Sequence, residues 1–265
     1  MLSVLLFNDL KMSTLTSFDG LLFLLAMIIP LVFLQRGLHR EFQAVFLISS
    51  RHETVSIWLF SLLFFPGILL HEMSHFVTAK ILRIETGKFS LIPQAMPDGR
   101  LQMGYVETAQ SDIVRDSIVG VAPLIIGCLF IAYAAIVKMH LLDLWDLLRT
   151  GQTELFIAGL RLLPALSDFW LWFYLTFTVS STMMPSASDR HAWLPLSIFT
   201  VILLTLTIVA GAGPWMLANL APPLNAFFKS VSLIFGLSVL LHILLIIPIF
   251  LVHKLLSKFT GLDVA

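Results

Sequence analysis

Residues 54–79 read TVSIWLFSLLFFPGILLHEMSHFVTA. The stretch runs uncharged from Val55 to Leu70 and then places His71, Glu72 and His75 within five residues. About 20 residues of apolar helix cross the hydrocarbon core of a bilayer. The segment therefore reads as a membrane-spanning helix that ends in an ionisable cluster. Ionisable groups in such a segment are costly and mark functional sites. On a helix, residues four apart stack on one face. Both imidazoles of His71-Glu72-Met73-Ser74-His75 can therefore reach one metal ion, an H-E-x-x-H pattern. Glu72 sits one step round the helix, close enough to act on a metal-held water without being a ligand. Pro66-Gly67, just over one turn earlier, either kinks the helix and opens a polar pocket at the motif or serves packing alone.

The rest of the chain has the same solvent preference. Hydrophobic residues make up 58% and charged residues 12%, where a soluble domain averages about half and about a quarter. Mean hydropathy is +0.95, the value of an integral membrane protein. The formal net charge is zero and no basic block is present, which argues against a nucleic-acid partner. The lone Cys128 lies in an apolar run, cannot form an internal disulfide, and is read as a packing residue. Met1 to Leu10 lacks a basic n-region and a small-residue cleavage site, and is not read as a signal peptide.

Six spans are expected, at 18–34, 54–79, 117–137, 155–184, 193–220 and 230–253. Arg161 and Asp168 make the start of the fourth interfacial, and Pro222-Pro223 breaks the chain before the sixth. The insertion 83–116 is the largest polar segment. Phe89 and Leu91 alternate with polar neighbours, as do Leu101, Met103 and Tyr105, with the turn signal Pro97-Asp98-Gly99 between them. The expected fold is thus a single all-α polytopic membrane domain of about six transmembrane helices, with a small β-hairpin between helices two and three. Six crossings put nine Lys and Arg on the side where span two exits and seven on the other. That excess leans towards a cytoplasmic motif side.

Two histidines leave a catalytic zinc one protein ligand short, because such sites use three and keep the fourth position for water. Topology returns span four to the side where span two ends, near Asp189. Pro185 takes the backbone out of helix geometry there and can turn Asp189 inward. Asp168 lies about 30 Å away along the same span if it is helical, and reads as an interfacial charge. His191 is the competing ligand, and a solvated Asp189 paired with Arg190 is the alternative to both. His242, inside span six, either hydrogen-bonds across helices or faces a cavity. His39, His52, His140 and His253 fit interfacial roles, and Glu107 is placed to touch a substrate.

Together, His71-Glu72-Met73-Ser74-His75 in the second of six spans, Asp189 at the end of the fourth, and the hairpin between spans two and three resemble the site-2 protease family of intramembrane zinc metalloproteases. The resemblance implies one zinc per chain, bound by His71, His75 and Asp189, with Glu72 as the catalytic base. It implies hydrolysis of peptide bonds in or near transmembrane segments of membrane-protein substrates, often after another protease has trimmed them. A substrate strand would pair with the hairpin edge. Gly120-Val121-Ala122-Pro123 resembles a looser form of the family's Ala-Gly-Pro-like element.

The family's second motif is Asn-x-x-Pro followed by Asp-Gly. Here Thr182 stands at the Asn position, Asp189 follows Pro185 by four residues instead of five, and Arg190 replaces the Gly, so the chain reads as a divergent member. Two other classes remain open. A non-catalytic zinc-binding scaffold has no need of Glu72. A metal transporter needs further ionisable residues along a path, for which His242 is the candidate.

Overall fold

The computed structural model describes residues 18–95 and 101–262. The segment Met1 to Leu10 and the expected turn Pro97-Asp98-Gly99 lie outside the described residues. The chain is an all-α polytopic membrane protein with a small β insertion. Its helices are α1 (Asp19–Ser50), α2 (Glu53–Ile81), α3 (Ile113–Tyr133), α4 (Leu141–Arg149), α5 (Thr153–Leu162), α6 (Phe169–Thr182), α7 (Trp193–Thr207), α8 (Gly213–Asn219) and α9 (Ala221–Thr260). Among the described residues, five helical stretches are long and apolar enough to cross a membrane: α1, α2, α3 with its extension to Lys138, α7 continued through α8, and α9. The pair Thr153–Ala165 and Phe169–Thr182, bent by 92°, makes a sixth if the two count as one broken span.

That bend departs from the straight fourth span expected at 155–184. Pro164 lies in the tight turn Leu163–Ala165 that ends α5. After it the chain breaks, and Asp168 precedes α6, its carboxylate accepting the Trp172 indole N–H at 3.0 Å. At 14 residues α6 is about 21 Å long, short of a hydrocarbon core of about 30 Å. The prolines of the last span also act differently from expectation. Pro222 and Pro223 fall in the first turn of α9, where a missing N–H removes no helical bond. The helix break comes just before them. In the fifth stretch, Gly211 at φ 93° separates α7 from α8.

The chain divides into two compact units. One comprises the described residues up to Leu38 together with Leu194–Ile247; the other comprises His39–Trp193 and the described residues from Pro248. In the first, Lys229 pairs with Asp19 at 2.9 Å, and Asn225 donates to the same carboxylate at 2.8 Å. His242 is fully buried there and donates to the Ser238 carbonyl one turn back. In the second, His39 packs its ring on Phe60 and Phe64, and His253 meets Glu41 at 2.6 Å.

The second unit is built around α2, which packs on α3 and α6. Gly67 sets the approach to α6: a Cβ there would overlap the carbonyl oxygen of Thr178 and the hydroxyl of Thr182. The facing stretch of α6 is made of small polar residues, with Thr176, Thr178, Ser180 and Ser181 fully buried. Gly67 thus serves close packing, one turn before His71 on the same face. α2 ends in two tight closing bonds. The Ile84 N–H donates to Ala79 and the Arg83 N–H to Lys80, with Arg83 in the left-handed region at φ 59°. This is a Schellman cap, and the apolar contact that accompanies such caps is supplied by Ala79, Ile84 and Val119.

The cap turns the chain directly into the hairpin. β1 (Thr86–Ser90) pairs antiparallel with β4 (Tyr105–Thr108), Phe89 opposite Val106 and Ser90 opposite Tyr105. Farther out, β2 (Gln94–Ala95) pairs with β3 (Leu101–Gln102). Leu91 and Met103, expected within strands, lie between these two short ladders. The register is irregular between Thr86 and Phe89, and the Glu107 carboxylate fills the gap by accepting the Lys88 N–H at 3.1 Å. Glu107 is therefore turned onto the hairpin's own backbone. Phe89 docks on Phe76 of α2 with ring centroids 6.0 Å apart, which holds the hairpin against the helix that carries the motif.

Candidate metal centre

α2 places His71 and His75 one turn apart, and their Nε2 atoms lie 3.2 Å from each other. Asp189, in the loop after α6, closes the third side. Its Oδ1 is 3.3 Å from His75 Nε2 and its Oδ2 is 3.7 Å from His71 Nε2. Four-coordinate zinc at about 2.0–2.1 Å from each ligand holds ligand atoms about 3.3 Å apart. The two imidazole nitrogens already stand near that spacing, and one ligand atom from each of the three residues lies within 4.8 Å of the others.

The far side of each ring explains why the near sides face one another. His71 Nδ1 lies 2.7 Å from the Thr182 carbonyl oxygen and His75 Nδ1 lies 2.9 Å from that of Val119. A carbonyl can only accept, so each Nδ1 carries the proton. In a neutral imidazole the Nε2 is then a bare lone pair. Two lone pairs at 3.2 Å, with a carboxylate beside them, repel unless a cation sits between them. Metal-binding histidines are commonly fixed in this way by a partner for the other ring nitrogen.

Asp189 is anchored as firmly. Its Oδ2 accepts the Ser186 N–H at 2.6 Å, and its own N–H donates to Ser186 Oγ at 3.3 Å. Burial opposes ionisation of Asp189. The imidazole side of the cluster and the Ser186 N–H outweigh it and hold the carboxyl well below the usual carboxylate range. The backbone of Asp189 is pressed onto α3, where a Cβ at Gly120 would overlap the Asp189 carbonyl oxygen. A second glycine one heptad on, Gly127, leaves room for Met183 in the same loop. α3 is aligned by Asp112, whose carboxylate caps the N–H groups of Val114 and Arg115 at 3.1 and 3.0 Å.

His191 does not face the cluster. Its Nδ1 donates to the Ser188 carbonyl at 2.7 Å, and its Nε2 lies 3.5 Å from Asp116 on the first turn of α3. Arg190 turns to the Ser186 carbonyl instead of pairing with Asp189. Among the described residues, His71, His75 and Asp189 are the group of three that could hold a metal ion.

Glu72 is buried on the neighbouring face of α2, against the hairpin. Gly104, the residue before β4, is its closest lid. A Cβ at that position would stand 2.9 Å from Glu72 Cγ and 3.1 Å from the Ser90 carbonyl oxygen. Sequence reasoning missed four participants: the carbonyls of Val119 and Thr182, the N–H of Ser186, and Gly104. Backbone groups carry no residue identity, but the glycines and prolines beside them are visible in the sequence. No family model matches the chain, and neither a curated protein nor a solved structure matches it.

Proposed function

We propose that the chain is an intramembrane zinc metalloprotease that hydrolyses peptide bonds in or near transmembrane segments of membrane-protein substrates. The observation that carries this reading is the pairing of two kinds of carboxylate at one site. Asp189 converges with His71 and His75, while Glu72 stands next to them on the helix and outside the ligand set. His71, His75 and Asp189 would hold one zinc ion per chain. When bound there, zinc supplies a Lewis acid and brings the pKa of a coordinated water towards 7. Glu72 accepts a proton from the attacking water at a carboxylate oxygen and returns it to the leaving amine nitrogen.

The remaining residues prepare the site for that chemistry. The buried hydroxyls of α6 and the glycines at 67 and 120 close the metal side against lipid. Among the described residues each ladder of the hairpin is two strands wide, so its outer edges have backbone groups to offer. A transmembrane substrate must lose its helical hydrogen bonds to expose a peptide bond, and an added strand replaces them. The charge excess supports a site that opens towards the cytoplasm.

The metal-transporter reading calls for further ionisable residues along a path, and among the described residues the group of three that could hold a metal ion is His71, His75 and Asp189. A non-catalytic zinc scaffold gives no reason for Glu72 to lie buried beside the ligands. The test is cleavage of a membrane-embedded helical substrate by the purified, zinc-loaded chain. Cleavage that stops on chelation, returns with zinc and is absent from Glu72→Gln is the expected result. Cleavage unaffected by Glu72→Gln would end the protease reading.

A further inference from the structure

α3 contains Pro123, and proline has no N–H. In a regular helix the N–H of residue 123 would donate to the carbonyl of residue 119. In this chain that carbonyl has lost its helical donor, at depth in a membrane protein where an unmade backbone bond is costly. The Val119 carbonyl is the one that accepts His75 Nδ1–H at 2.9 Å. We propose that Pro123 is a positioning residue for the metal centre. By withholding its N–H, it frees the Val119 carbonyl to hold His75 in the tautomer that aims a bare Nε2 at the metal. The proposal rests on the reading of His71, His75 and Asp189 as a metal site.

The other histidine is served by the same device. Thr182 is the last residue of α6, and the N–H four residues on belongs to Ser186. Were α6 to continue, that N–H would go to the Thr182 carbonyl. Pro185 follows and the helix stops. The released carbonyl takes His71 Nδ1–H at 2.7 Å, and the released Ser186 N–H takes Asp189 Oδ2 at 2.6 Å. One helix interruption on α3 and one at the end of α6 thus supply fixed partners to all three ligands. Each of these three partners is a backbone group.

A purely structural Pro123 would bend α3 or fill space. The two roles separate in Pro123→Ala, which restores the N–H. The helical bond to Val119 can then form, and His75 must compete for its acceptor. Binding of Zn²⁺ alone to the purified full chain should weaken about 10- to 100-fold, the usual effect of losing such a partner. The metal-free protein should melt at the same temperature or higher, because a helix-breaking residue has been removed. Nitrogen NMR of metal-free protein should show His75 protonated at Nδ1 in the parent and divided between tautomers in the variant. Pro30→Ala, an equivalent change inside α1, should leave zinc affinity unchanged.

Unaltered zinc affinity and an unaltered His75 tautomer in Pro123→Ala would overturn the proposal. So would loss of zinc that follows from a lower melting temperature of the metal-free protein. If Pro123→Ala does not fold, Pro123→Gly also restores the N–H and must give the same two changes. A parent protein that binds no zinc would defeat the metal site itself, and the tautomer comparison would still decide the role of Pro123.

Discussion

The proposed function gives separate tasks to two carboxylates and two imidazoles within one turn of α2 and one loop, and single substitutions distinguish them. Glu72→Gln keeps the shape of the side chain but not its proton affinity. Zinc content is expected to stay at the parental level while turnover drops by at least about 100-fold, measured as metal stoichiometry and cleavage rate on the same sample. Asp189→Ala removes a proposed ligand together with the anchor for the Ser186 N–H, so zinc affinity and turnover should fall together. Full zinc occupancy in Asp189→Ala would move the third ligand elsewhere. His191→Ala should leave zinc affinity unchanged, because that ring is held by Ser188 and Asp116. The sequence alone could not choose between positions 189 and 191. Two residues apart in a loop after a proline, either could have faced the metal, and the choice is made by backbone bonds of Ser186.

The elements meet through glycines, and so the element scale is tested by adding a methyl group or more. Gly104 lets the hairpin lie on Glu72. Gly104→Val should push that carboxylate out of place, lowering turnover while zinc remains bound; equal cleavage by parent and variant would reduce the hairpin to a connector. Gly67→Val should separate α2 from α6, costing about 1–3 kcal/mol for overpacking and weakening zinc binding through the Thr182 contact. Thermal unfolding and zinc titration read the two effects.

Much of this level was legible in residue types. The uncharged run before His71 places α2, and Phe89 and Tyr105 fall on paired strands as their alternation predicts. The bend between α5 and α6 was not. Hydropathy records how apolar a segment is and not its direction, so 155–184 reads as one span although Pro164 and Asp168 lie inside it. Likewise Pro222-Pro223 reads as a break, whereas in the first turn a proline starts a helix.

At the scale of the molecule, one buried polar pair shows what holds the second unit together away from the candidate metal centre. His253 near the end of α9 meets Glu41 of α1 at 2.6 Å, both side chains being more than nine-tenths buried. His253→Ala would remove the 2.6 Å partner of Glu41 and leave Arg40 at 3.6 Å, and an unmade buried hydrogen bond costs about 1–3 kcal/mol. The expected result is a clear drop in melting temperature that Glu41→Gln in the same background partly restores, with no change in the zinc ligands. The larger consequence of the fold is that α2 and the loop after α6, far apart in sequence, bring together three residues that could hold a metal ion. X-ray absorption at the zinc edge of the purified, zinc-loaded chain tests that directly. One zinc per chain, coordinated by two imidazole nitrogens and by oxygen at about 2.0–2.2 Å, and lost in His75→Ala, is the expected result. A chain that takes up no zinc, or a His75→Ala variant with an unchanged spectrum, would contradict it.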